Sequence, residues 1–98
     1  PKYKVAIASP ADDEPVRSNP GNIAILVSSE PALDVAAGHK FQLLMDGNPV
    51  MTSQKTSVVL TNVDRGTHTL QVQVIDETGK VLESSESSTF HMLRFAGG

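Results

Sequence analysis

Residues 67–75 place His68, Leu70, Val72 and Val74 at every second position, with Thr67, Thr69, Gln71 and Gln73 between them. Side chains of an extended strand alternate between its two faces, so this register gives one dry face and one wet face, a separation that a helix cannot make of the same residues. The same period recurs along the chain in segments of about five to eight residues bounded by Pro, Gly, Asn or Asp, whereas a helical period is hard to find. With 98 residues there is room for one core. The sequence therefore predicts a single all-β domain, ordered over about residues 3–95. Cysteine and tryptophan are absent, and Tyr3, Phe41, Phe90 and Phe95 are the only aromatic residues. Disulfides, thiolate metal sites and cysteine nucleophiles are thereby excluded, and the core must be mainly aliphatic.

Laid out in order, the first strand covers residues 3–9, with Tyr3, Val5 and Ile7 in phase, and Pro10 ends it. Residues 11–21 contain Asp12, Asp13 and Glu14 in a row together with Pro15 and Pro20, and read as an exposed connection in which proline forbids ladder pairing. A second strand at 22–29 turns Ile23, Ile25 and Val27 inward, and the crossover after Glu30-Pro31 holds one short helical turn at 32–37. The third strand, 39–46, has Phe41, Leu43 and Met45 in phase and ends on Asp46-Gly47, a pair suited to a type I′ hairpin. A short strand around 49–52 belongs at an edge, where Pro49 is tolerated, and 56–61 turns Val58 and Leu60 inward. After the 67–75 strand, Asp76 is placed to accept backbone N–H bonds within the next turn. The last strand runs from Val81 to Arg94, and serines at 84–88 mark a bulge or a break in its pairing. About seven antiparallel strands in two facing sheets are expected.

The run Asp64-Arg65-Gly66-Thr67-His68-Thr69-Leu70 carries a further signal. Immunoglobulin domains place a tyrosine near the start of the sixth strand, two residues before a core cysteine, and its hydroxyl bonds back to the preceding corner. This run resembles that corner, with Asp64 in the bend, Gly66 as the small residue, His68 for the tyrosine and Leu70 for the cysteine. Ser9-Pro10, Asp46-Gly47, the stretch from Leu60 to Gly79, and Phe90 with Met92 extend the likeness. Together they are similar to immunoglobulin-like or fibronectin type III-like modules of exported bacterial proteins, above all the C-terminal module of proteobacterial proteins that carry a domain of unknown function behind a signal peptide. The resemblance implies a seven-stranded antiparallel immunoglobulin-like (fibronectin type III-like) β-sandwich, with Leu70 facing Ile25 or Val27 and Phe41 packing where antibodies have tryptophan. It also implies a periplasmic or cell-envelope location, and it brings no catalytic residue. The chain starts at Pro1 and ends Ala96-Gly97-Gly98, and so reads as a piece of a longer exported protein.

A net charge of −3, with eight Lys and Arg scattered singly, offers no cationic stripe, so no nucleic acid is expected. No apolar run reaches the roughly 18–20 residues of a membrane helix, so no membrane insertion of this domain is expected. His39, His68 and His91 invite a metal. Strand direction puts His39 at the opposite end from His68, and His91 is out of phase with Phe90 and Met92, so no metal site or cofactor is expected. His68 is assigned to the corner bond, and the other two histidines to solvent. The acidic run 12–14 lacks the alternating spacing of a calcium loop and reads as solvated. No G-x-S-x-G elbow or suitably spaced carboxylate pair is present, so the chain is not expected to be an enzyme. A glycan platform would require exposed rings. Leu26 and Val59, outward on neighbouring strands, form a candidate interaction patch, and open sheet edges offer strand addition. The expectation is a non-catalytic module, monomeric in isolation, serving as a spacer or as a contact for another envelope protein; the alternative is a cell-wall glycan-binding module.

Overall fold

The computed structural model describes residues 2–94, so Phe95, the last residue of the expected ordered core, lies outside the described residues. The strands are β1 (Lys4–Ser9), β2 (Glu14–Arg17), β3 (Ile23–Glu30), β4 (Lys40–Met45), β5 (Asn48–Ser53), β6 (Ser57–Leu60), β7 (Gly66–Ile75), β8 (Val81–Ser84) and β9 (Ser88–Leu93). One 3₁₀ turn, Val35–Ala37, lies in the crossover between β3 and β4. One sheet has the order β1-β3-β6; the other has β2-β9-β7-β4-β5, with β8 continuing the pairing along β7. The molecule is an all-β, two-sheet sandwich.

Period-2 alternation accounts for its core. Val5, Ile23, Ile25, Val27 and Leu60 come from the three-stranded sheet, and Phe41, Leu43, Leu70, Val72, Val74, Phe90 and Met92 from the larger one. Phe41 and Leu70 thus join Ile25 and Val27 in one apolar cluster. Each large apolar side chain in it contributes about 1.5–3 kcal/mol by leaving water. At the β4–β5 hairpin both Asp46 (φ 54°) and Gly47 (φ 82°) have positive φ, as a type I′ turn requires.

The described residues form nine strands where seven antiparallel ones were expected, because residues 14–17 pair and the last strand divides in two, and two features of the acidic stretch depart further from the sequence reading. Residues 14–17 are not an unpaired connection: β2 runs parallel to β9, with Glu14 opposite Phe90 and Arg17 opposite Leu93. Pro15 does not prevent this, because β2 is an edge strand and Ser18 N–H, in phase with Val16, is the group that reaches Leu93 O. The acidic run is likewise not simply solvated. Asp12 Oδ1 accepts Thr89 N–H at 2.8 Å, Glu14 Oε1 accepts Ala11 N–H at 3.0 Å, and Asp13 N–H donates to Thr89 O.

The last strand divides into β8 and β9 at Ser85, a buried polar residue that is 6% exposed. Ser85 N–H donates to Val72 O, and Ser85 Oγ accepts Val72 N–H at 2.9 Å, so a side chain replaces the missing backbone acceptor across the break. Ser85→Ala strands the Val72 N–H inside the sandwich and is expected to cost about 1–2 kcal/mol in urea denaturation. The neighbouring exposed Ser87→Ala should stay within about 0.5 kcal/mol.

Strand direction also sets where the chain enters and leaves. β1 lies along residues 83–88, and β2 runs parallel to β9. The described chain therefore begins at the pole carrying the 3₁₀ turn and leaves at the opposite pole, through a body of 48 × 20 × 19 Å.

Candidate functional site

The corner is built at the C-terminal pole, where β4 ends and β7 begins. Gly66 opens β7 at φ +130°, a backbone angle that side chains disfavour, and two residues later His68 turns its ring inward. His68 Nε2–H donates to the Asp64 carbonyl at 2.8 Å, four residues back. Nδ1 faces Asp46 Oδ2 at 2.6 Å, and the ring stacks on Phe90 with centroids 5.5 Å apart. Asp46 is in turn fixed by Thr69 N–H on Oδ1 at 3.0 Å and by its own N–H to Thr69 O at 2.9 Å. Asp64 serves the ring through its backbone rather than its carboxyl, and Leu70 lies in the core two residues further on.

Asp46 was absent from the sequence-derived corner, although a signal for it exists. Pairing of β4 with β7 sets Met45 opposite Leu70, which brings the first turn residue beside Thr69 and His68.

Both partners of the ring are acceptors, a carbonyl and a carboxylate. The arrangement is satisfied when both nitrogens carry hydrogen and Asp46 is ionised. Burial acts against charge on both groups, yet other contacts outweigh it. Bonds to Asp46 and the Asp64 carbonyl, with the charges of Asp46 and Asp64, raise the His68 pKa. Bonds from His68 and Thr69 N–H, with the charge of His68, lower that of Asp46. While both nitrogens carry hydrogen, the ring has no lone pair for a metal or for a nucleophile's proton. Chemically this is a tie between two turns.

The other histidines are not simply solvated. The Tyr3 hydroxyl accepts Asp34 N–H at 2.9 Å and is hydrogen-bonded to His39 Nδ1 at 2.7 Å, which pins the crossover at the N-terminal pole. On the outer face of the larger sheet, His91 meets Asp13 through Nε2 and Thr67 Oγ1 through Nδ1, the latter at 2.9 Å, fastening β2 to β9 and β7. Among the described residues no three His, Cys, Asp or Glu side chains form a metal-ligand group. In the turn after β7, Asp76 Oδ1 accepts Thr78 N–H and Lys80 N–H; the bonds from Thr78 and Lys80 and the nearby Lys80 charge hold its carboxyl below the usual range.

Leu26 and Val59 are 45% and 54% exposed. Ala24 is opposite Val59 and Leu26 opposite Ser57, so the two are diagonal neighbours on the outer face of the small sheet, amid exposed Ala6, Ala24, Ser28 and Ser57. Along the open side of the sandwich, between β1 and residues 83–88, runs a groove of about 670 Å³ edged by Glu30, Glu83 and Glu86. Its one ring, Tyr3, is buried and presents no stacking face. The arginines, dispersed in sequence, gather in space: Arg17, Arg65 and Arg94 line a single cavity at the C-terminal pole.

No family profile matches the sequence, and no curated protein sequence is similar to it. Solved structures are similar in fold. A fibronectin(III)-like module of CbhA from Clostridium thermocellum superposes with a TM-score of 0.70 at 15% identity, over 91% of this chain and 94% of that one. The PKD domain of human KIAA0319 gives 0.61 at 13% identity, over 99% and 86%. The SGBP-B protein of the Bacteroides ovatus mixed-linkage glucan utilization locus, solved with a mixed-linkage heptasaccharide, gives 0.57 at 17% identity, over 94% of this chain and 24% of that one. The fold is thus a fibronectin type III-like, immunoglobulin-like β-sandwich.

Proposed function

We propose that this chain is a non-catalytic immunoglobulin-like module of a longer exported bacterial protein, acting in the cell envelope as a spacer and as a surface for protein contact. The observation that carries the reading is the passage of the chain from one pole to the other of a body 48 Å long, the geometry that holds two neighbouring segments apart. A non-catalytic role is supported by the chemistry of His68, whose two nitrogens are both taken up in holding turns together. A contact role is supported by the uncharged outer surface around Leu26 and Val59. Export is supported by the resemblance of the corner and its flanking motifs to modules of exported bacterial proteins.

Glycan binding is the rival reading, and the Bacteroides ovatus protein of similar fold, solved with a heptasaccharide, gives it its footing. Against it stands the lack of an exposed aromatic platform among the described residues, where Tyr3, Phe41 and Phe90 are all buried. Titration of the ¹⁵N-labelled domain with soluble peptidoglycan fragments and with mixed-linkage glucan heptasaccharide separates the two. Amide shifts are expected to stay unchanged. Saturable shifts clustered in the groove or at one pole would replace the spacer reading with the glycan one.

A further inference from the structure

Arg17, Arg65 and Arg94 are all the arginines of the chain, and the three line one cavity of about 340 Å³ together with Asn19 and Leu93. Three separate elements bring them there. Arg17 ends β2 opposite Leu93 of β9 in the parallel register. Arg65 directly precedes Gly66, which pairs with Met92. Arg94 follows β9 and is held in place: its Nε donates to Asn19 O at 2.9 Å, and its Nη1 to Val63 O at 3.0 Å and Asn62 Oδ1 at 3.3 Å. Every one of those acceptors is neutral, so the charge of Arg94 is oriented but not compensated by any described residue.

The other two guanidinium groups are also unmatched. Among the described residues both ion pairs are between histidine and aspartate, and neither the Arg17 nor the Arg65 guanidinium makes a hydrogen bond. The chain carries eleven Asp and Glu and a net charge of −3, yet among the described residues no acidic side chain lines this cavity. Three like charges around one concavity repel each other, and an anion between them converts that repulsion into attraction. Guanidinium groups present forked donors that match oxyanions bidentately, while Leu93 and the arginine stems supply an apolar wall. Among the described residues the positive charge sits at one compact site that no aromatic ring lines, which suits a single small group and not a polymer backbone.

We propose that this cavity at the C-terminal pole binds a multiply charged oxyanion, a phosphate or polycarboxylate group, through Arg17, Arg65 and Arg94. The test is NMR titration of the ¹⁵N-labelled domain with inorganic phosphate and, separately, with citrate, at constant ionic strength set by chloride. Saturable shifts are expected at the three arginine Nε–H signals and at Leu93, for at least one of the two anions, and the tighter of the pair names the source. Arg17→Ala and Arg65→Ala remove side chains without hydrogen bonds, so both variants should unfold at the wild-type temperature while half-saturation rises about tenfold. Lys55→Ala, at the opposite pole, should leave half-saturation unchanged. Shifts that stay linear up to about 50 mM for both anions, or half-saturation unaltered in both arginine variants, would overturn the proposal.

Discussion

Phe90→Ala is expected to destabilise the domain by about 3–5 kcal/mol, a large part of the roughly 5–15 kcal/mol that holds a small domain folded. Phe90 is fully buried on β9, which is hydrogen-bonded on one side to β2 and on the other to β7. Glu14 and His68 are its two cross-strand neighbours, and its ring is the surface on which the imidazole stacks. Truncation removes a large apolar group and also opens a void beneath the corner, where the two bonds of His68 leave the ring little freedom to collapse inward. In urea denaturation the midpoint should fall sharply with the slope unchanged, because the surface exposed on unfolding is nearly the same. Phe90→Leu keeps most of the volume and should cost clearly less, about 1–1.5 kcal/mol. A loss below about 1 kcal/mol for the alanine variant would mean that β9 does not anchor the core as the structure shows.

What was legible in the sequence is whatever depends on neighbours a few residues apart. Alternation assigns Ile25, Leu70, Val72 and Val74 to the core because a strand's faces are fixed by its own period. Asp46-Gly47 announces its turn because positive φ is a local demand. The bond from His68 to the Asp64 carbonyl spans four residues, and the spacing of the corner carries it. The features that were missed all join distant segments. Glu14 pairs with Phe90, and Asp13 with His91, only because β2 crosses to the far sheet, and no local pattern announces a parallel pairing with a strand more than seventy residues on. Pro15 was read by its local prohibition, although at an edge that prohibition does not apply. Ser85 was visible as part of a serine-rich break, but its use as a backbone substitute for Val72 requires β7 beside it. The arginines look scattered along the chain and meet only through the topology. The same limit holds for function: at 13–17% identity, likeness to solved structures carries the fold and no ligand.

Stability should be greatest in mildly acidic solution and decline as pH rises, and His68 is the group responsible. Its folded pKa is raised, so its contribution is fully present below the unfolded value of about 6.5 and is lost as pH climbs through the higher folded value. Asp46 acts on the other limb: its folded pKa is lowered, so its contribution is present above about 3.9 and is lost as pH falls through the folded value. The structure gives the alkaline loss a concrete form. A neutral imidazole has one N–H for two acceptors, so either the Asp64 carbonyl or the Asp46 carboxylate must give up its bond. His68→Phe keeps a ring against Phe90 and removes both N–H groups, and its unfolding temperature should lose the decline above about pH 6.5 that the wild type shows. His68→Ala removes the stack as well and should cost about 2–3 kcal/mol near pH 5.5, the ring being 12% exposed and bonded to a carboxylate. His91→Ala provides the contrast. Its partner Asp13 is 78% exposed, and a pair so open to water is worth less than about 1 kcal/mol. An alkaline decline that survives in His68→Phe, or a His91→Ala loss equal to that of His68→Ala, would show that the corner histidine is not what ties the C-terminal pole together.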